Sequence, residues 1–312
     1  MHFSPVPMHI PDGFLSLVIS LVFWAITILT VGIAISKTNK SLGEKQVPLM
    51  GIMAAFIFAA QMLNFPVAGG TSGHFLGGAL AAIVLGPWAG ILVMTAVIAV
   101  QSLLFQDGGL LVMGANIFNM GLLTAMIGFG LYRAVIGRGK GLRLAVAGVA
   151  AWLAVVAAAF LTSLELWLSG TSRLEIVLPA MLGVHVLIGL GEALITVAAL
   201  AFIEQTRPDL LSKEAVAARG GRAWIYVGVA VSLFAVLLSP LASASPDGLE
   251  RVAEDIGFLN LGQSAPYQIL PDYTLPFLGE TALSTIMAGA VGALVVLGLV
   301  IVIGQVLRRK TG

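Results

Sequence analysis

Long apolar runs separated by short polar stretches organise this chain, and within each run the apolar positions are continuous rather than confined to one stripe. That pattern belongs to helices surrounded by a nonpolar medium. A helix needs about 20 apolar residues, at 1.5 Å rise each, to cross a bilayer. Runs of roughly that kind fall at Leu15–Ser36, Val47–Leu63, Phe75–Gly86, Ile91–Phe105, Leu110–Tyr132, Leu144–Gly170, Val177–Ile203, Trp224–Ala244 and Ser284–Leu307. The expectation is an all-α, polytopic integral membrane protein of about nine transmembrane helices. Two of the runs are short and flank Pro87-Trp88-Ala89-Gly90, which fits two true crossings or one bent hairpin dipping into the bundle.

Composition agrees with the pattern: 59% of the 312 residues are hydrophobic, 10% are charged and the mean hydropathy is +1.03. Soluble domains carry about a quarter charged residues, so that class is set aside. The 37 glycines and abundant alanines suit helices packed closely in lipid. With no cysteine, any metal must be held by nitrogen or oxygen, and thiol chemistry is excluded.

The distribution of positive charge gives an orientation, because Lys and Arg collect in cytoplasmic loops. With the amino terminus outside, every one of the 16 basic residues except Arg173 and Arg251 falls inside, and this arrangement favours two true crossings at Pro87. Residues 1–14 hold no Lys or Arg and lead into a stretch too long for a typical signal-peptide core, so a cleaved signal is not expected. The polar segment 207–221 divides the chain into a seven-span unit, residues 1–206, and a two-span unit, residues 222–312, with a long outer loop at Ser245–Ala282. The expected location is the cell's inner (plasma) membrane, multi-pass, with the carboxyl terminus in the cytoplasm.

Candidate chemistry concentrates at the outer face. His2, His9 and His74 all emerge there, since two spans separate the first two from the third. His9 lies in Met8-His9-Ile10-Pro11-Asp12-Gly13-Phe14 ahead of a span, and His74 ends the glycine-rich bend Gly69-Gly70-Thr71-Ser72-Gly73-His74. Irregular backbone beside the membrane is tolerated where it is buried in protein or lines a wet cavity. A histidine in second position can chelate through the terminal amine, its own amide nitrogen and Nδ1, and a second imidazole such as His74 would complete four nitrogens. That donor set suits Ni(II) or Cu(II) rather than Zn(II). The alternative is that His9 and His74 are interfacial residues hydrogen-bonded to loop carbonyls.

Gln101, Gln106, Asp107, Asn116 and Asn119 cluster near the same face, where they line the cavity or simply join helices. His185 and Glu192, two turns apart in one span, read as a structural or coupling pair ahead of a ligand role. The chain lacks G-x-x-x-x-G-K-[ST] and H-E-x-x-H, so any energy source is a partner or an ion gradient, and no enzyme activity is expected.

Four segments carry a resemblance: Met8-His9-Ile10-Pro11-Asp12-Gly13-Phe14-Leu15-Ser16, Gly70-Thr71-Ser72-Gly73-His74-Phe75-Leu76-Gly77-Gly78, Leu85-Gly86-Pro87-Trp88-Ala89 and Asn116-Ile117-Phe118-Asn119-Met120-Gly121. Over residues 8–206 they closely resemble the CbiM/NikM family, the substrate-capture components of energy-coupling-factor cobalt and nickel transporters. Ser245-Pro246-Asp247-Gly248-Leu249-Glu250, with Pro271-Asp272-Tyr273, resembles the PDGLE domain of NikN-type auxiliary subunits. The resemblance implies a NikMN-like fusion in an ABC-type transporter, with a CbiQ/NikQ-like coupling subunit and CbiO/NikO-like ATPase subunits as partners. Nickel is then slightly favoured over cobalt as the transported ion, no resident cofactor is implied, and cobalamin biosynthesis is the context for cobalt.

The resemblance also implies metal ligands at Met8, His9 and His74; Ser72, Asp107, Asn116 and Asn119 are candidates beside them from their place near the same face. Seven residues precede Met8, so Met1 and His2 are alternative amino-terminal ligands, and a start at Met8 keeps Pro11-Asp12-Gly13 at the family spacing. Two other functions compete: a stand-alone gradient-driven metal transporter or channel, suggested by His185 and Glu192, and an intramembrane enzyme. The Ser245–Ala282 loop is expected to influence loading of the outer site, because both lie on one face.

Overall fold

A computed structural model describes residues 9–39, 43, 46–211 and 223–309. Among them, seven helices are long and apolar enough to cross a membrane: α1 (Leu17–Asn39), α4 (Pro87–Phe105), α5 (Met113–Val135), α6 (Lys140–Leu168), α7 (Leu174–Thr206), α8 (Ala223–Leu241) and α10 (Ala282–Arg309). Between them lie α2 (Gln46–Gln61), α3 (Gly78–Leu85) and α9 (Gly248–Ile256).

The expectation of nine full crossings is not reproduced. The run at Phe75–Gly86 becomes an eight-residue helix, about 12 Å at 1.5 Å per residue and far short of a ~30 Å hydrocarbon core. It turns back at Gly86, and Pro87 opens α4 at the position where its missing N–H costs nothing. The residues ahead of α3 are spent on a hairpin, β1 (Phe65–Val67) and β2 (Thr71–Gly73), paired antiparallel with Phe65 opposite Gly73. Gly69 and Gly70 make its turn at φ +81° and +72°, a conformation side chains resist.

Packing follows the small residues. Many alanines of α2, α3 and α4 are fully buried beside Met50, Ile57, Phe58 and Ile91, and α10 packs into the same core through Ala288, Ala293 and Val296. The outward faces stay apolar, with Leu17, Val18, Leu21 and Leu29 of α1 exposed, as lipid contact requires. Thr27 of α1 donates to the Gly114 carbonyl of α5 at 2.8 Å. Away from the histidines, Glu204 of α7 meets Arg143 at 2.7 Å and Lys140 at 3.9 Å.

The segment 9–16 folds back over the mouth of α4 and α5. Asp12 is its anchor: one carboxylate oxygen accepts from Leu111 N–H (2.9 Å) and Val112 N–H (3.1 Å), and the other accepts from Leu110 N–H (3.0 Å). These amides lead into α5, whose amino end favours a negative charge. Gly109 permits the approach, since a Cβ there would lie 2.1 Å from Asp12 Oδ1.

Candidate metal centre

The bend around Asp12 delivers His9 to the interior. His9 and His74 are 2% and 6% exposed, and their rings stand 5.4 Å apart, edge to face, at 69°. The two irregular segments singled out in the sequence therefore meet. Met8, Met1 and His2 lie outside the described residues.

His9 is held by Asp107: its N–H donates to Oδ1 at 3.3 Å, and Nδ1 lies 3.3 Å from the Asp107 carbonyl. A carbonyl only accepts, so Nδ1 carries the proton and Nε2 keeps its lone pair. Nε2 is buried and has no hydrogen-bond partner. Burial pushes the imidazole below its ordinary pKa, with the Asp107 charge pulling the other way, which favours the neutral form that binds metals. In this arrangement the amide and Nδ1, the pair a second-position chelate would use, are both turned to Asp107, and Nε2 faces the cavity.

His74 and His185 follow the same rule. Nδ1 of His74 lies 3.2 Å from the Phe75 carbonyl, and Nδ1 of His185 lies 2.8 Å from the Met181 carbonyl. A backbone carbonyl on one ring nitrogen orients the other, as is usual for histidines that ligate metals. The bonding to loop carbonyls that sequence reasoning offered as the alternative to ligation is thus present at both His9 and His74, and it is the arrangement that frees Nε2.

The three rings line one cavity of about 60 Å³. That suits an ion and some water rather than an organic ligand, whose pockets run to about 300–1,000 Å³. Among the described residues no three His, Asp or Glu side chains approach closely enough to hold an ion between them. A metal held here must also draw on backbone, terminal or water donors.

Asn116 and Asn119 also line the cavity but face different tasks. Asn116 clamps the chain beside His9, accepting from Ile10 N–H at 3.1 Å and donating to the Ile10 carbonyl at 3.0 Å. Asn119 sits in a π-helical turn, Ile117–Leu123, and donates to Thr162 (3.2 Å) and Glu165 (2.9 Å). Such turns recur at functional sites. Ser72 points elsewhere, tying β2 to the Ser245 carbonyl at 2.8 Å. Gln101 donates to Gln61 at 2.9 Å, and Gln106 donates to the Leu104 carbonyl at 3.1 Å. Glu192 is structural: its oxygens accept the N–H groups of Leu76 (2.6 Å) and Gly77 (3.0 Å), which fixes the irregular segment that follows β2 and carries His74.

Three participants were missed in the sequence. Asp247 lines the cavity from the start of α9, Tyr273 donates to Asp107 at 2.6 Å, and Glu165 lies buried behind Asn119. A lone acid inside an apolar run was the available signal for Glu165. The other two stand in the segments that carry the PDGLE resemblance, but nothing local tied them to the histidines, because their positions follow from how the 245–282 segment folds over the bundle.

A many-span helical membrane protein with a buried, histidine-lined cavity of ionic size belongs among transporters of small metal ions. Residues 9–210 match the family model described as the cobalt uptake substrate-specific transmembrane region, CbiM, and residues 221–309 match the PDGLE domain. The chain belongs to the CbiM family and carries a PDGLE domain.

A NikMN chain of Archaeoglobus fulgidus is 41% identical over 94% of this chain and 96% of its own length. The fused nickel transport protein NikMN of Rhodobacter capsulatus is 30% identical over 98% of this chain and all of its own length. The cobalt transport protein CbiM of Geobacter sulfurreducens is 31% identical over 78% and 74%. A crystal structure of a transition metal transporter superposes with a TM-score of 0.58 at 33% identity, covering 68% of this chain and 100% of that one. The chain is a multi-span membrane protein of the nickel/cobalt transport protein family, and so a metal transport protein.

Proposed function

We propose that this chain is the substrate-capture component of an energy-coupled importer of a divalent transition metal, with nickel as its ion. The single observation that carries the reading is the pair His9 and His74, rings 5.4 Å apart on a buried cavity, with His9 Nε2 unpartnered. An apolar interior that leaves a basic nitrogen unsatisfied forgoes a hydrogen bond, and a metal ion recovers it. The relatives named for nickel transport support the choice of ion.

In this reading the site opens on the outer face, the amino terminus is extracytoplasmic and the basic loops lie inside, following the charge asymmetry of the sequence. The site draws its remaining nitrogens from Met8 and from the His9 backbone. Loading by that chelate requires His9 N–H and Nδ1 to exchange Asp107 for the metal. Energy comes from separate coupling and ATPase subunits, since the sequence holds no phosphate-binding loop.

The test is equilibrium binding of Ni(II) to the chain beginning at Met8. His74→Ala abolishes saturable binding while thermal unfolding stays close to the parent. One ion per chain bound by that variant at the parent's affinity would sink the assignment.

A further inference from the structure

The cavity is lined by three imidazoles and by side chains of Asn116, Asn119 and Thr162, none of which is an anion. A dication moving from water into such a place loses most of its hydration, and neutral groups alone compensate this poorly. Among the described residues lining the cavity, Asp247 is the one carboxylate. It arrives from the PDGLE domain, 5% exposed, and its Oδ1 is buried without a hydrogen-bond partner.

The other oxygen explains why the side chain is held there. Asp247 is the N-cap of α9: Oδ2 accepts from Leu249 N–H at 3.5 Å, and Glu250 reaches back to the Asp247 N–H at 3.2 Å. This capping box fixes the rotamer. The whole turn is docked by Ser72, whose N–H donates to the Pro246 carbonyl at 2.8 Å, and by Gly248, where a Cβ would come within 3.0 Å of the His185 ring. Glu165 also keeps one unpartnered oxygen, but it lies behind Asn119 and is not part of the cavity lining, and two other neighbouring anions are committed. Asp107 spends its oxygens on His9 and Tyr273, and Glu192 spends both on backbone amides. The fold therefore delivers one aimed, unspent carboxylate oxygen to a cavity of basic nitrogens.

We propose that Asp247 supplies the anionic oxygen donor that receives the hydrated divalent cation in this cavity before the nitrogen ligands close on it. The proposal rests on the capture function proposed above and gives the PDGLE domain a chemical part in it. It concerns the approach of the ion rather than its final ligand set, because Asp247 and the histidines do not come close enough together to hold an ion as they stand.

The experiment is stopped-flow binding of Ni(II), as the chloride, to the full chain in nanodiscs, read by competition with a chromophoric chelator. Asp247→Asn keeps an N-cap acceptor, so α9 still starts properly. We expect it to slow association about tenfold or more, with one ion per chain and the final absorption spectrum unchanged, while Asp247→Glu recovers most of the rate. Glu250→Gln disturbs the same helix start without touching the cavity, and its rate stays within twofold of the parent. If the Asn variant does not fold, Asp247→Ser makes the same comparison.

An association rate within twofold of the parent for Asp247→Asn overturns the proposal, as does equal slowing by Glu250→Gln. In both cases loss of binding in His74→Ala leaves the capture function standing. A parent that binds no nickel, or a His74→Ala variant that binds like the parent, removes the capture function and this proposal with it.

Discussion

Tyr273 donates its phenolic proton to Asp107 at 2.6 Å, and the other oxygen of that carboxylate accepts the His9 N–H at 3.3 Å. A residue of the PDGLE domain thereby holds the group that holds His9. Tyr273 is 8% exposed and stacks on Phe105 at 4.7 Å, so the link is dry and rigid. Burial and the Asp107 charge raise its phenol well above the ordinary value, which keeps it a proton donor at any physiological pH.

Tyr273→Phe tests that link. The substitution keeps the ring and strands one oxygen of a buried carboxylate, a change that costs about 1–3 kcal/mol. The expected result is a lower thermal midpoint and nickel affinity reduced several-fold, with the stoichiometry unchanged. Equilibrium dialysis giving the parent's affinity would show that the PDGLE domain does not position His9 through this bond.

Asp12→Ala removes the acceptor of three N–H groups at the mouth of α5. Loss of a cap costs about 0.5–2 kcal/mol, and here it also frees the segment that carries His9. Nickel binding should weaken at least tenfold, with a smaller effect for Asp12→Asn, which keeps one oxygen. Equal affinities for the two variants would mean that the carboxylate does not set the position of His9.

How far the sequence discloses these relationships depends on their range. The long spans are visible because a lipid-facing helix such as α1 must be apolar on every side. The meeting of His9 with His74 follows from topology, since one helical hairpin returns the chain to its starting face. Hydropathy left the short run Phe75–Gly86 open between a crossing and a bent hairpin, because twelve apolar residues fit either, and the eight-residue α3 does not confirm a ninth full crossing. The roles of the two Pro-Asp-Gly sequences were hidden as well. Asp12 reaches amides about a hundred residues away and Asp247 caps its own helix, and the same three-residue pattern does not tell the two roles apart. Tyr273 is 166 residues from Asp107, and no local pattern reports such a bond.

Acid–base behaviour provides a test of the loop itself. Burial holds the Glu250 carboxyl up at about 7, against about 4.5 for a free side chain. The folded chain then keeps a proton that the unfolded chain has already released, so this contribution to stability is complete below about pH 4.5 and is lost as pH rises through about 7. Asp272, raised to about 6, acts in the same direction. Thermal midpoints of the parent should therefore fall across this window relative to Glu250→Gln, with Asp272 leaving a residual slope. Parallel profiles for parent and variant would contradict the assignment.

Glu192 separates a capture component from a carrier driven by an ion gradient. Both of its oxygens hold the amides of Leu76 and Gly77, so the carboxylate serves the backbone that presents His74. A glutamine has one acceptor oxygen and leaves one buried N–H facing an amide nitrogen, a loss of about 1–3 kcal/mol. Glu192→Gln should therefore lower the thermal midpoint and weaken nickel binding together. A proton-carrying glutamate predicts the opposite pattern: intact binding, with loss of a nickel flux that the isolated chain sustains across a pH gradient. Liposomes holding only this chain should show no such flux with either the parent or the variant, because the carboxylate has no oxygen free to move a proton while His74 stays in place.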